Sequence, residues 1–132
     1  MSRSPITCHV LDSSIGKPAE GIEIALQVLD ASTSGNTVEV FQSIAKGVTN
    51  SDGRCIDLLP PRGSDEAVKA KTDLEAGQTY KIIFKTKPYF EKTNRKSFYP
   101  WVEIFFNIEN PAEHYHIPLL ISPYSFTTYR GS

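Results

Sequence analysis

The most informative segment of this 132-residue chain lies near its end and reads HYHIPLLI, from His114 to Ile121. Every second residue of the segment is apolar, and this set comprises Tyr115, Ile117, Leu119 and Ile121. Because successive side chains of a strand point to opposite faces, the alternation predicts a strand with one buried face. His114 and His116 then belong to the opposite face, away from the core.

The same alternation recurs along the chain and predicts an all-β fold. The further candidate strands are residues 6–11, 22–28, 37–45, 54–59, 80–85 and 102–108. Between them lie turn residues, most clearly Asn50-Ser51-Asp52-Gly53, because Asp-Gly supplies the positive φ of a tight turn. A Ser-Asp-Glu start predicts one short helix over residues 64–76. We therefore expect a two-sheet β-sandwich of seven or eight strands, folded as a single domain over residues 1–132.

The charge balance and the cysteine count limit the partners and the compartment. A formal net charge of −1 argues against non-specific binding to nucleic acid or to membrane surfaces, both of which favour a basic excess. No apolar run approaches the roughly 18 residues that a membrane span needs. Two cysteines and no signal-peptide-like stretch predict a reduced intracellular protein, cytoplasmic or peroxisomal. The last residues, Arg130-Gly131-Ser132, are not a Ser-Lys-Leu type of peroxisomal address.

Two apolar residues on the outward side of the last strand need an explanation. Pro118 and Leu120 alternate with the buried set, and water does not favour such a strand face. A proline also suits an edge or irregular position in a sheet. Since no segment of the chain is left over to cover this face, we expect it to lie in a subunit interface.

All three histidines of the chain are predicted to leave the core. His9 points outward because the first strand buries the alternate set Ile6, Cys8 and Val10. Together with His114 and His116 it could act as a general acid and base, since imidazole titrates near neutral pH. Two readings compete with this one: ordinary solvated surface histidines, or a zinc site that combines the His-x-His pair with His9 and a carboxylate or water.

Other candidate groups give weaker signals. Arg54 follows the Asp-Gly turn, so it is either a surface charge or a guanidinium that grips a planar, oxygen-rich substrate. Cys8 is predicted to be a buried structural thiol, whereas the position of Cys55 is less clear. The chain has neither a Gly-x-Ser-x-Gly nucleophile motif nor a phosphate-binding glycine loop.

Three motifs in order together resemble one family. They are His9-Val10-Leu11-Asp12 with Gly16-Lys17-Pro18-Ala19, then Thr49-Asn50-Ser51-Asp52-Gly53-Arg54, and finally the segments 114–123 and 128–132. The chain resembles the transthyretin-like family over nearly its whole length, and within that family the 5-hydroxyisourate hydrolases. Hormone-carrying transthyretins share the sandwich but lack the ending Tyr129-Arg130-Gly131-Ser132 and the set of histidines and arginine.

The resemblance implies a function and a set of site residues. It implies a homotetramer whose active sites lie between dimers and hydrolyse 5-hydroxyisourate, without metal or cofactor, to 2-oxo-4-hydroxy-4-carboxy-5-ureidoimidazoline in urate catabolism. The catalytic positions it implies are His9, Arg54, His116 and Ser132, with Arg54 and Tyr129 as substrate contacts. It leaves the role of His114 open. The longer segments 31–38 and 60–76 are expected to be surface loops.

Two non-catalytic functions remain as alternatives on the same fold. One is a binding module that carries a ligand without turning it over. The other is a structural or interaction sandwich whose histidines are only surface residues.

Overall fold

A computed structural model describes residues 3–132, so the first two residues of the predicted domain lie outside the described residues. Seven strands have four or more residues and two have only two. They are β1 (Ile6–Asp12), β2 (Lys17–Pro18), β3 (Glu23–Leu29), β4 (Phe41–Val48), β5 (Arg54–Cys55), β6 (Thr79–Phe84), β7 (Val102–Asn107), β8 (Tyr115–Ser122) and β9 (Ser125–Thr128). The helices are α1 (Asp65–Ala70) and α2 (Thr86–Glu91), with a 3₁₀ turn at Ala31–Thr33. None of these helices is long and apolar enough to cross a membrane.

The strands form two sheets with a shared core. The first sheet has the order β2-β1-β8-β9, and β5 also pairs with β1. The second sheet has the order β4-β3-β6-β7. Side chains from both sheets form one buried cluster, in which Tyr80, Phe84 and Leu119 are among the largest members. The predicted all-β, two-sheet sandwich is confirmed.

The parallel pairing of β1 with β8 fixes the centre of the first sheet. Its register runs from Ile6 opposite Tyr115 to Asp12 opposite Ile121. The predicted inner residues of both strands are at most 5% exposed. Burying one such side chain stabilises the fold by about 1.5–3 kcal/mol, and a one-residue slip would expose the whole set. The core therefore determines which side chains of β1 and β8 face outward.

The first helix is shorter than predicted. The Ser64 side chain caps its start and accepts a hydrogen bond from the Ala67 N–H at 3.2 Å. Lys71 ends it with a φ of 57°, in the left-handed region. Since a right-handed helix does not continue through such a residue, α1 covers only part of the predicted segment 64–76.

Besides the two-residue strand β2, two elements of the fold were not predicted. The helix α2 has no side-chain hydrogen bond at its N-cap, Lys85, and carries Pro88 in its first turn, so the usual start signal is missing. Strand β9 is short and has few apolar residues. It forms only because a tight turn folds it back onto β8, with Ser125 opposite Ser122.

Two predicted strands have different bounds. The strand expected over residues 54–59 ends at Cys55, and the following Leu58 and Leu59 are buried without joining a sheet. The Leu59 N–H donates instead to Ser4 Oγ at 3.2 Å. Strand β4 lies a few residues later than the predicted 37–45. In the first case apolar content indicated burial but not strand pairing, whereas in the second Val38 and Val40 are exposed and lie outside the strand.

A buried carboxylate ties α2 and the loop after it to the end of β1. The Asp12 side chain is fully buried and accepts hydrogen bonds from Tyr89 Oη at 2.9 Å and Arg95 Nη2 at 3.0 Å. The Ser14 N–H donates to its other oxygen at 3.0 Å. Burial alone raises the pKa of Asp12, but the hydrogen bonds from Ser14, Tyr89 and Arg95 outweigh it and hold that pKa below its ordinary value.

Acid is expected to destabilise the fold through Asp12. Because the pKa of Asp12 is lower in the folded state, its stabilisation is complete above the unfolded value of about 3.9 and is lost as pH falls through the folded-state value. We expect Asp12→Asn to lower the free energy of unfolding by about 3 kcal/mol near neutral pH, and by less below about pH 4. Urea denaturation of both proteins across this range measures the difference. A difference independent of pH would contradict the lowered pKa.

Candidate active site

The strand register brings the candidate residues onto one face. His9 lies opposite Arg54 in the β1·β5 pair, and Thr7 lies opposite His116 in the β1·β8 pair. Residues directly opposite each other share a face of the sheet, so all four lie on the outer face of the first sheet. The ring centroids of His9 and His116 are 6.5 Å apart, as are those of His114 and His116.

The end of the chain extends this face. Strand β9 pairs with β8 up to Leu119 opposite Thr128, and the pairing resumes with His116 opposite Gly131. Counting in the same register, Tyr129 falls opposite Pro118, which itself lies opposite His9. By this count one row of backbone positions runs from Arg54 through His9 and Pro118 to Tyr129, although residue 129 itself does not pair with β8. Neighbouring strands are about 4.8 Å apart, so the row spans about 14 Å.

Pro118 explains why the pairing of β8 with the tail is interrupted. The Gly131 N–H donates to the His116 carbonyl at 2.9 Å. Two residues further along β8, a regular antiparallel ladder would use the N–H of residue 118, which proline lacks. The Thr128 hydroxyl donates to the Pro118 carbonyl at 2.7 Å instead. The proline thus lies inside the sheet, where its missing N–H frees residues 129–130 from the ladder.

The tail covers part of the apolar outer face within the chain. Pro118 is buried and Leu120 is half-buried within a single chain. A Cβ atom placed on Gly131 would lie 3.0 Å from Pro118 Cγ, so the tail itself packs against the proline. This contact by the tail was not part of the prediction, and the subunit interface expected at this face stays a prediction.

The turn before β5 holds both His9 and Arg54. His9 Nε2 lies 2.8 Å from the Asp52 carbonyl oxygen. A carbonyl can only accept, so Nε2 carries the hydrogen and the neutral ring has its free lone pair on Nδ1. The Asn50 side chain accepts from the N–H groups of Asp52 at 2.9 Å and Arg54 at 3.0 Å. The predicted Asp-Gly turn therefore orients two of the candidate residues.

Gly53 is the constrained position of this turn. Its φ is 75°, and its carbonyl accepts from the Val10 N–H at 2.7 Å. A Cβ atom added to Gly53 would collide with the Val10 carbonyl oxygen and lie 3.1 Å from Ala19 N. Both contacts are with backbone, which cannot rotate aside. The turn therefore requires glycine for space as well as for its positive φ.

Gly53→Ala is expected to destabilise the protein by about 3 kcal/mol and to lower its activity. The cost of a positive φ for alanine and the cost of the collision with backbone atoms add together. Gly63→Ala is the matched control: its φ is 73°, but no atom lies within 4 Å of the added Cβ. Gly63→Ala should lower the free energy of unfolding by only about 1–2 kcal/mol, because only the strain of the positive φ remains. Urea denaturation of both variants compares the two losses. Equal losses would contradict the role of the backbone contacts.

Thr7 is a site residue that the sequence analysis missed. Its hydroxyl lies 2.8 Å from His114 Nε2 and 2.7 Å from His116 Nδ1, and the residue is only 6% exposed. The alternation of β1 does place it on the same side as His9. Its contacts depend on the register of β1 with β8, which the sequence pattern does not contain.

The environment favours neutral imidazoles. Burial lowers the pKa of His116 below its ordinary value, and the charge of Arg54 lowers it further, with smaller effects from the other two histidines and Arg3. Burial also lowers the pKa of His114, as do Arg3 and Arg62, while the Ser4 main chain opposes them. Both rings can therefore accept a proton near neutral pH.

A cavity of about 710 Å³ opens beside His116. Its polar side chains include Thr7, His116, Arg3, Arg54 and Asp57, and the other residues of the segment 56–61 form its apolar wall. This volume is in the range of small-molecule sites. The two arginines suit an anionic or oxygen-rich ligand. Part of the segment 60–76, expected to be a surface loop, thus lines the cavity through Pro60 and Pro61.

The remaining candidates are placed as follows. Tyr129 is 59% exposed and lines another cavity, together with Tyr115, Ile117 and Arg130, rather than the one beside His116. Ser132 is exposed and comes directly after Gly131. Within the described residues no hydrogen bond joins Ser132 to a histidine. Cys8 and Cys55 face each other on the inner side, and both are buried free thiols.

The zinc alternative requires a third ligand near the histidine pair. His114 and His116 both direct a ring nitrogen to Thr7. Across residues 3–132, no three His, Cys, Asp or Glu side chains are grouped closely enough to hold a metal ion. Thr7, His114 and His116 form a hydrogen-bonded cluster.

Comparison with known proteins identifies the family. A family model described as the HIUase/Transthyretin family matches residues 6–131. The chain belongs to this family. It is 40% identical over 129 residues to the 5-hydroxyisourate hydrolase of Mus musculus, covering 98% of this chain and 96% of the relative. The resemblance found in the sequence is confirmed.

Two solved structures illustrate the breadth of this family's fold. The 5-hydroxyisourate hydrolase of Klebsiella pneumoniae has a TM-score of 0.72 and 32% identity, and the match covers 100% of both chains. Transthyretin from Sparus aurata has a TM-score of 0.77 but 24% identity, covering 96% of both chains. The backbone alone therefore does not distinguish a hydrolase of this family from a transthyretin.

Proposed function

We propose that this protein is a 5-hydroxyisourate hydrolase of urate catabolism. In this reaction water opens a ring at an amide carbonyl and yields 2-oxo-4-hydroxy-4-carboxy-5-ureidoimidazoline. The observation that carries the proposal is the meeting of His9, Arg54 and His116 on one face of the first sheet, beside a cavity. The relatives named 5-hydroxyisourate hydrolase support it, because they match along nearly the whole chain.

In the proposed mechanism the two histidines position and deprotonate the attacking water. The hydrogen bond to Asp52 leaves the Nδ1 lone pair of neutral His9 free, and His116 lines the cavity. With ring centroids 6.5 Å apart, one water between the rings could reach both. A base positioned in this way typically accelerates proton transfer by about 10²–10⁴-fold.

Arg54 is proposed to hold the substrate and to stabilise the oxyanion. Negative charge develops on the carbonyl oxygen as water attacks, and donors that are already oriented stabilise it most. The turn at residues 50–53 orients the Arg54 backbone through the Asn50 side chain. A guanidinium also offers paired donors to a planar, oxygen-rich ring.

The tail is proposed to complete the site. Tyr129 would pack on or hydrogen-bond the flat ring from its place in the row with His9. Ser132, through its hydroxyl or the terminal carboxylate, would join the water and histidine network next to His116. We further propose a single-domain subunit in a homotetramer with the outer face turned toward a neighbouring dimer, in the cytoplasm or a peroxisome. Analytical ultracentrifugation tests the tetramer.

An ultraviolet absorbance assay tests the activity. Urate oxidase generates 5-hydroxyisourate, and the added protein should accelerate its decay over the spontaneous rate. A chelator in the same assay should leave the rate unchanged. If the protein binds the compound without accelerating its decay, it is a carrier and the proposed activity is wrong.

A further inference from the structure

The two cysteines of the chain lie directly opposite each other in the β1·β5 pair. Cys8 pairs with Cys55, and both are buried, with exposed fractions of 0% and 1%. The next pair, His9 with Arg54, points to the outer face, so the two thiols project together into the core from adjacent strands. The proposed hydrolysis uses neither thiol.

The type of strand pairing sets the distance between the two cysteines. The Val10 N–H donates to the Gly53 carbonyl at 2.7 Å, so Val10 directs its peptide groups toward the partner segment. Every second residue of an antiparallel strand does the same, and Cys8 therefore forms the hydrogen-bonded type of pair with Cys55, with Cα atoms about 5.5 Å apart. Disulfides most often join Cα atoms about 5.5–6 Å apart. The backbone is already spaced for a disulfide between Cys8 and Cys55.

The surroundings of Cys55 leave room for its sulfur and a route to it. A Cβ atom added to Gly47 of β4 would lie 2.8 Å from Cys55 Sγ, so the sulfur occupies the space that this glycine leaves open. Cys55 Sγ also lies 3.7 Å from Asp57 Oδ1, and Asp57 lines the cavity beside His116. A small polar oxidant in the cavity is therefore one side chain away from the sulfur.

We propose that Cys8 and Cys55 are a site of reversible oxidation, at which hydrogen peroxide converts the two thiols into a disulfide between β1 and β5. The Cys55 thiolate attacks one peroxide oxygen, the O–O bond breaks, and the departing hydroxide becomes water with the proton that the Cys55 thiol released. The Cys8 sulfur then attacks the sulfur of the Cys55 sulfenic acid, the S–O bond breaks, and a second water leaves with the Cys8 proton. The two sulfurs together give two electrons to one peroxide, and an added dithiol reverses the reaction by thiol–disulfide exchange.

The acidity of the two thiols sets the order of these steps. Hydrogen bonding from Cys8 lowers the pKa of Cys55 and outweighs the effect of burial, whereas the same hydrogen bonding raises the pKa of Cys8, and burial raises it further. Since the thiolate is the nucleophile, Cys55 reacts first and Cys8 then attacks it. The strand register, which does not depend on these pKa values, brings the two sulfurs together.

The disulfide would secure the strand that carries Arg54. Strand β5 has only two residues, Arg54 and Cys55. A disulfide to Cys8 closes a loop of roughly 50 residues and thereby restricts the unfolded chain, so the oxidised protein should be the more stable form. Neither the oxidation nor its test depends on hydrolysis of 5-hydroxyisourate.

Mass spectrometry of the full-length wild type tests the reaction. The native protein is treated with excess hydrogen peroxide, then unfolded and labelled with N-ethylmaleimide. We expect an unlabelled monomer whose mass is lower by two hydrogen atoms, proteolytic fragments linked through Cys8 and Cys55, and labelling of both cysteines after a dithiol. A protein that still takes two labels after peroxide, or whose disulfide joins two subunits, would overturn the proposal.

Two variants test the order of the steps. Cys8→Ser should stop at the Cys55 sulfenic acid, which dimedone traps, and Cys55→Ser should leave Cys8 unoxidised under the same conditions. A sulfenic acid trapped on Cys8 instead would contradict the assigned order. The wild type alone decides whether the disulfide forms, so poor folding of a variant does not affect that result.

Thermal unfolding provides a second arm on the wild type. The oxidised form should melt at least about 5 °C above the reduced form, and a dithiol should return the melting temperature to its reduced value. Both cysteine-to-serine variants should show no rise after peroxide. An oxidised wild type that melts at or below the temperature of the reduced form would show that the disulfide does not secure β5.

Discussion

Replacing His116 with alanine is expected to lower kcat for 5-hydroxyisourate by about 10²–10⁴-fold, the usual contribution of a general base. The ring is the one that lies between the Thr7 hydroxyl and the cavity. Its environment keeps the pKa low, so the neutral ring is available near pH 7. Removing the imidazole leaves Arg54 to bind the substrate, so KM should change much less than kcat. The ultraviolet decay assay measures both.

The control for this variant must separate chemistry from folding. His116 is half-buried, so thermal unfolding of His116→Ala should accompany the kinetics. Gln42→Ala, an exposed change on β4 of the other sheet, should leave both stability and kcat at wild-type values. Wild-type turnover by folded His116→Ala would remove His116 from the mechanism.

The double variant tests whether His9 and His116 act together. If both rings hold one water, His9→Ala should already remove most of what His116→Ala removes. The combined variant should then lose about as much as either single variant, because groups that act as a unit are not additive. Losses that multiply would indicate separate roles, such as a base for water and an acid for the leaving nitrogen.

The alternation of apolar residues was sufficient to predict the faces of β1 and β8. It works there because each strand has one buried side. Ile6 and Ile117 lie on that side, and His9 and His116 lie on the other. The same pattern predicted that all three histidines would leave the core. It could not say how close together they lie, because distance depends on which strands are neighbours.

The apolar pattern of the sequence does not specify the register between strands that are distant in the chain. The parallel pairing of β1 with β8 joins residues more than a hundred positions apart and places Thr7 beside His116. Nothing in residues 6–12 alone marks Thr7 as a hydrogen-bonding partner of two histidines. The turn at Asn50–Gly53 was predictable, but its carbonyl contact with His9 depends on the β1·β5 pairing in the same way.

The predicted role of the tail in the active site rested only on the resemblance to a family. Its physical reason is visible in Gly131: a Cβ there would lie 2.7 Å from His116 Cδ2 and 3.0 Å from Pro118 Cγ. A side chain at this position would displace the imidazole or lift the tail off β8. Glycine at position 131 is therefore needed for the close approach of the tail to His116, which composition alone does not reveal.

Deleting residues 129–132 is expected to abolish hydrolysis while the sandwich still folds. No core side chain is lost, since Tyr129 is 59% exposed. The lost contacts include the Gly131–His116 backbone bond, an exposed ion pair of Arg130 with Glu113 at 3.2 Å, a 3.5 Å hydrogen bond from Arg130 to the His114 carbonyl, and the Arg130 guanidinium over the Tyr115 ring at 4.5 Å. Such contacts are each worth about 0.5–1.5 kcal/mol, which an ordinary domain tolerates.

Gly131→Ala is the sharper form of the same test, because it keeps every other group of the tail. The methyl group must move His116 or detach the tail, and a displacement of about 1 Å at a catalytic group can cost about 10²-fold in rate. We expect kcat to fall by that order with a nearly unchanged melting temperature. Thr127→Ala, an exposed change on β9, is the matched control and should keep the wild-type rate. If Gly131→Ala also keeps that rate, the tail does not act through His116, and a loss on deletion would then belong to Tyr129 or Ser132.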